Sequence, residues 1–221
     1  MPYDWTLYLR SPYLPRGAHA FGVQAAWREP LIYKGEWIFN KSMGGVPIDP
    51  AEAPSRFRVG IPAARLPDFF GLAEGGYCVS DLVRDKIEEL EPGVHQFLPA
   101  AITAKGGEVP QQRYSLFHIC NRVDAIDPEK SVLSYDEGLK TFDRSSRGLP
   151  PDATPRMVLR KEAVAGMCAW VDRRWKYGYF MSDALAEFLI EAHRRPFIGP
   201  KGTFLGGRKR TKLVYWEVFT E

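Results

Sequence analysis

This sequence predicts an α+β fold with mixed or antiparallel β-sheets braced by two main helices, over about residues 80–91 and 182–193. Three observations carry the prediction. First, residues 77–98 read as a complete strand, helix, strand unit. Tyr77-Cys78-Val79 extends, Ser80 is a good helix N-cap, Asp81 places a negative charge in the first turn, and Glu91-Pro92-Gly93 stops the helix. Second, the phrase returns: Tyr77, Ser80, Asp81 and Glu89 recur as Tyr179, Ser182, Asp183 and Glu191. Third, residues 1–75 are rich in aromatics, proline and glycine and poor in helical periodicity, which predicts a β-rich N-terminal lobe ahead of an α+β domain over 76–221.

Each helix shows one apolar stripe. In the first copy Val79, Leu82, Val83, Ile87 and Leu90 follow three-and-four spacing, while Arg84, Asp85, Lys86, Glu88 and Glu89 fall mostly elsewhere. In the second, Met181, Ala184, Leu185, Leu189 and Ala192 replace them and Phe188 widens the stripe. Two copies are too few for a solenoid, so the repeat predicts two equivalent docking sites on one framework.

In chain order, residues 5–10, 26–27 and 35–40 are expected as short strands, 47–54 as a turn-rich connector and 56–61 as a better strand. Residues 64–71 are interrupted by Pro67 and carry Phe69 and Phe70 toward the core. A loop over 105–110 leads to 114–123, where Leu116, His118 and Cys120 point one way and Phe117 and Ile119 the other; two apolar faces predict a central strand. Residues 132–135 extend again, and 138–154 form a long polar excursion. Strands are expected at 156–161 and 168–171, a turn at 172–178, and a final strand with C-terminal pattern LVYWEVF at 213–219 after a glycine-rich loop.

The bulk properties narrow the function class. Hydrophobic residues make up 45% of 221, ample for a substantial core, and 30 basic against 27 acidic residues leave a formal charge of only +3. Nothing at whole-chain level therefore points to a nucleic-acid or membrane partner. No run approaches about 18 consecutive apolar residues, and residues 1–22 lack the apolar centre of a secretory signal, so a cytoplasmic protein is expected. Cys78, Cys120 and Cys168 have none of the paired spacings of a zinc site, and no metal or cofactor is expected.

No catalytic constellation is legible either. There is no nucleophile elbow, and His19, His95, His118 and His193 have no acid or metal partner at a diagnostic spacing. His118 reads as a core histidine, and Glu88, Glu89 and Glu91 as a solvated helix face. Gly75-Gly76 precedes its strand, and the strand-to-helix junction holds Asp81, which would repel a phosphate. The local basic features remain: Arg208, Lys209 and Arg210, and Trp175 and Tyr177 among Arg173 and Arg174. Such mixtures suit exposed turns, protein hot spots or stacking on nucleic acid.

A series of landmarks, taken in order, resembles the bacterial immunity-protein family numbered eleven among polymorphic-toxin systems. They are the aromatic-rich N-terminal lobe, Pro67-Asp68-Phe69-Phe70, Val79-Ser80-Asp81 opening a helix, Val94-His95-Gln96-Phe97-Leu98-Pro99 after its acidic end, the 114–123 strand running into Asp124-Ala125-Ile126-Asp127, Trp170-Val171-Asp172, and Met181-Ser182-Asp183. The resemblance implies a non-enzymatic partner protein that binds the catalytic domain of a cognate secreted toxin and occludes its active site. On that expectation the toxin-facing patch is placed among Arg144, Arg147, Arg173, Arg174, Trp175, Tyr177, Arg208, Lys209 and Arg210. The alternative is a nucleic-acid-binding module that uses the basic C-terminal turn, and behind it an enzyme of unknown reaction.

Overall fold

The computed structural model describes residues 3–4, 19–21, 31–38, 40–72, 75–143, 149–150, 152–153, 156–175, 179–192 and 217–220. Within them the strands before the first helix are β1 Tyr3–Asp4, β2 His19–Phe21, β3 Leu31–Tyr33, β4 Glu36–Ile38, β5 Arg56–Arg58, β6 Phe69–Gly71 and β7 Tyr77–Ser80. Helix α1 Asp81–Leu90 leads to β8 Gln96–Thr103, β9 Tyr114–His118, β10 Arg122–Val123, β11 Ser134–Asp136, β12 Thr141–Asp143 and β13 Arg156–Leu159. The short α2 Lys161–Val164, β14 Ala169–Asp172, β15 Phe180–Met181, α3 Asp183–Ala192 and β16 Glu217–Thr220 complete the order.

Two sheets organise the molecule. The larger has the order β2-β5-β8-β9-β7-β6, antiparallel except for β5 and β8, and the smaller has β1-β15-β14-β10, antiparallel except for β10 and β14. The α+β class holds; both main helices start within about a residue of expectation because Ser80 and Ser182 cap their first turns, and the first also ends within a residue of its expected stop. The lobe boundary expected at residue 75 runs through one sheet. Strands β2, β5 and β6 come from before it and β7, β8 and β9 from after it, so hydrogen-bond ladders cross that position.

Period-two alternation divides the apolar residues among three cores. Between the sheets, Tyr77, Val79 and Phe117 meet Val83 and Ile87 of α1, Leu185 and Leu189 of α3, and Ala169, Val171 and Met181 of the smaller sheet. On the outer face of the larger sheet, Phe57, Phe70, Cys78, Leu98, Ile102 and Leu116 pack with Ile48, Val59 and Leu72. On the outer face of the smaller sheet, Trp170 and Phe180 pack with Ile126, Phe142, Met157 and Leu159. Phe69 and Phe70 are thus core residues, although they sit in a strand rather than in an irregular anchor.

The repeat is larger in space than in sequence. Phe69 pairs with Val79 and Phe70 with Cys78, as Ala169 pairs with Met181 and Trp170 with Phe180. Ser80 N–H donates to Asp68 O at 2.8 Å and Ser182 N–H to Cys168 O at 2.9 Å. Each serine hydroxyl then caps its helix, accepting from Val83 N–H and Leu185 N–H at 3.4 and 3.3 Å. The two equivalent tyrosines, Tyr77 and Tyr179, meet edge to face with ring centroids 4.7 Å apart. Each repeat is therefore a strand, strand, capped helix, and the copies share one core. Leu82, expected on the apolar stripe, is 51% exposed, and its counterpart Ala184 is exposed too, so the buried stripe is narrower than the periodicity suggests.

The expected central strand over 114–123 is interrupted. Its first part, β9, is indeed central in the larger sheet, but β10 pairs with β14 in the smaller one, and residues 119–121 carry the chain between them. The helices cover only part of the larger sheet's inner face. Beyond Phe97 that face continues through Pro99, Ala101, Arg56 and Arg58, all exposed.

Candidate functional site

The crossover creates the one cluster of acid, base and thiol groups among the described residues, Glu91, His95 and Cys168, whose ligating atoms lie within 4.8 Å of one another. Glu91 caps the C-terminus of α1, His95 precedes β8, and Cys168 precedes β14. Cys120 N–H donates to His95 Nδ1 at 3.2 Å, which leaves the proton on Nε2 to be donated to Glu91 Oε2 at 3.2 Å. Glu91 Oε2 also accepts Cys168 N–H at 2.7 Å, while Asn121 Nδ2 donates to Glu91 Oε1 at 2.7 Å and to Ala169 O at 2.9 Å. Glu91, His95 and Asn121 thus satisfy Cys168 N–H, Cys120 N–H and Ala169 O, backbone groups at and beside the crossover.

Those bonds decide what the cluster can do. Burial alone would raise the Glu91 carboxyl, but hydrogen bonds from His95, Asn121 and Cys168 N–H outweigh it and hold the group down at about 2. Burial, then the Glu91 charge, push the Cys168 thiol far up, so no thiolate is on offer as nucleophile. A metal at His95 Nε2 would require the ring proton on Nδ1, where Cys120 N–H already points. The donor set does not fit a metal, and the cluster is a structural clamp. His118 is likewise structural: its Nε2–H donates to Val46 O at 2.8 Å, and burial lowers its basicity to about 4.

The solvated-face expectation for the helix carboxylates holds for Glu89, which is exposed and pairs with Lys86, but not for Glu91, which is buried. The sequence signal that marks the clamp is the four-residue step from Glu91 to His95 across the helix stop, together with a lone Asn121 in an apolar run.

The expected partner-facing residues are not placed alike. Arg173 is exposed, with its N–H on Val123 O at 2.8 Å. Arg174 is committed internally: its guanidinium bonds to Asp124 and to Ile126 O and lies 5.3 Å from the centre of the Phe142 ring. Asp172 fixes this turn from beneath, its carboxylate accepting the N–H groups of Ala125, Ile126 and Arg174 at 2.7, 2.9 and 2.8 Å. Trp175 corrects the expectation. It is only 2% exposed, because a bridge between Phe142 and Trp175 turns the indole into the outer core of the smaller sheet, so it offers no stacking face. Arg144, Arg147, Tyr177, Arg208, Lys209 and Arg210 lie outside the described residues.

No described helix is long and apolar enough to cross a membrane. A search of curated proteins finds no match to the chain. A family model described as Immunity protein family (Imm11) matches residues 7–197.

Proposed function

The chain belongs to the Imm11 immunity protein family, and from that premise we propose that it binds the catalytic domain of one cognate secreted antibacterial toxin in the producer's cytoplasm and closes that domain's active site to substrate. The family match across residues 7–197 is the observation that carries the proposal. The physical picture agrees with it. An inhibitor needs a framework that does not yield and a surface that fits, and here three apolar cores and a buried polar clamp supply the framework. The clamp spends its acid, base and thiol on one another and on backbone groups, which suits a protein that blocks chemistry rather than performs it.

The charge balance bears on the mode of inhibition. Inhibitors that imitate a nucleic acid need a strongly acidic face, and a formal charge of +3 argues instead for shape or for an acidic cleft on the toxin. Co-expression with the toxin encoded beside it should restore growth, and the pair should co-purify. Independent elution of the two proteins at micromolar concentration would overturn the proposal. Salt-sensitive binding to nucleic acid, weakened by alanine at Arg208, Lys209 and Arg210, would replace it with the alternative module.

A further inference from the structure

We propose that the toxin docks on the part of the larger sheet's inner face that the described helices leave uncovered, and that the toxin segment seated there carries carboxylates; this rests on the immunity reading above. Arg56 and Arg58 flank Phe57, whose side chain fills the outer core, so both arginines stand on the opposite face. In register with them on β8 are Ala101 and Thr103, with Pro99 next along the same side. On the β8 side of the arginines that floor carries only the short side chains of Pro99, Ala101 and Thr103.

A third cation closes the arrangement. Ala100 pairs with Tyr114, and continuing that register by one residue sets Arg113, with 83% of its side chain exposed, beside Ala101 on the flank away from Arg56. Neighbouring strands are about 4.8 Å apart, so Arg56 and Arg113 rise on the order of 10 Å apart across an alanine. That spacing leaves room over Ala101 for an Asp or Glu side chain, with the Arg56 guanidinium on one flank and Arg113, whose guanidinium is shared with Asp81, on the other; guanidinium groups recognise carboxylates in a fork. Its rim disfavours a long polyanion: Asp81 holds Arg113 at 2.8 Å, and the same helix presents Asp85 and Glu89 to solvent. A short acidic protein segment is the occupant that matches both the cations and their acidic border.

The test uses the full-length protein and its cognate toxin. In Arg56→Glu/Arg58→Glu the affinity should fall about 100-fold or more and growth protection should be lost, with the thermal midpoint unchanged. Independently, the thiol introduced by Ala101→Cys should be alkylated freely in the protein alone and slowly in complex, a readout that survives if the charge reversal disturbs folding. Failure of the wild type to bind toxin at all overturns the immunity reading and this proposal together. Wild-type binding with the double variant within twofold, or alkylation of the introduced thiol unaffected by toxin, overturns the docking surface alone. Salt-steep binding of duplex DNA or RNA that the double variant abolishes overturns it in favour of a polyanion site.

Discussion

The two strand, strand, capped helix units, residues 69–90 and 169–192, agree on the face they share and differ on the faces they keep to themselves. Tyr77 and Tyr179, Ser80 and Ser182, Val83 and Leu185, and Ile87 and Leu189 converge on the core between the sheets. On the private faces, the first unit offers Phe70 and Cys78, whereas the second stacks Trp170 on Phe180 at 5.7 Å and 11°. The lesson is that a repeated framework fixes only the residues that meet their own counterparts. Whatever faces away is free to suit a different neighbour.

Emptying the private faces breaks the comparison most severely. Trp170→Ala and Phe70→Ala should each cost about 3–5 kcal/mol, with the tryptophan at the upper end, read from urea unfolding. Equal costs would mean that the stack adds nothing. The clamp, whose carboxylate Glu91 stands at the end of the first unit while the second lends backbone groups at residues 168 and 169, comes next. Its carboxyl drops from an ordinary 4.5 to about 2 on folding, so its stabilisation is present above the unfolded value and disappears as pH falls from 4.5 toward 2. Glu91→Gln should therefore lose on the order of 3 kcal/mol at pH 7 and flatten that acid limb. An earlier decline, from pH 6.5 to 4, belongs to His118, whose folded form refuses the proton that the unfolded chain accepts, and it should persist in Glu91→Gln.

Smaller effects sharpen the equivalence. Ser80→Ala and Ser182→Ala should each cost about 1 kcal/mol, and nearly the same amount, since both hydroxyls cap the third residue of their helices. A double-mutant cycle on Tyr77→Leu and Tyr179→Leu should return a coupling of about 0.5–1.5 kcal/mol. Strict additivity would deny that the rings depend on each other.

How much of this was legible depends on whether the signal is local. Helix limits were, because Ser80, Asp81 and the Glu91-Pro92-Gly93 stop act within a few residues. His118 was, because alternation alone sets it beside Leu116. The passage of 119–121 from one sheet to the other was not, since apolar strands of either sheet look alike in composition. Trp175 was misplaced for a related reason: its basic neighbours suggested a surface turn, yet a single bridge to Phe142 decides its direction. Arg-Phe-Arg at 56–58 showed which residues alternate, but only the register between β5, β8 and β9 gathers Arg56, Arg58 and Arg113 around Ala101.

The clamp at the crossover also governs how the molecule comes apart. It ties together the end of the first helix, the linking residues and the start of the second unit, so releasing one partner strands the donors and acceptors of the rest in a buried or half-buried site. Neither sheet can melt while the other stands, and heating should produce one sharp cooperative transition instead of two staggered ones.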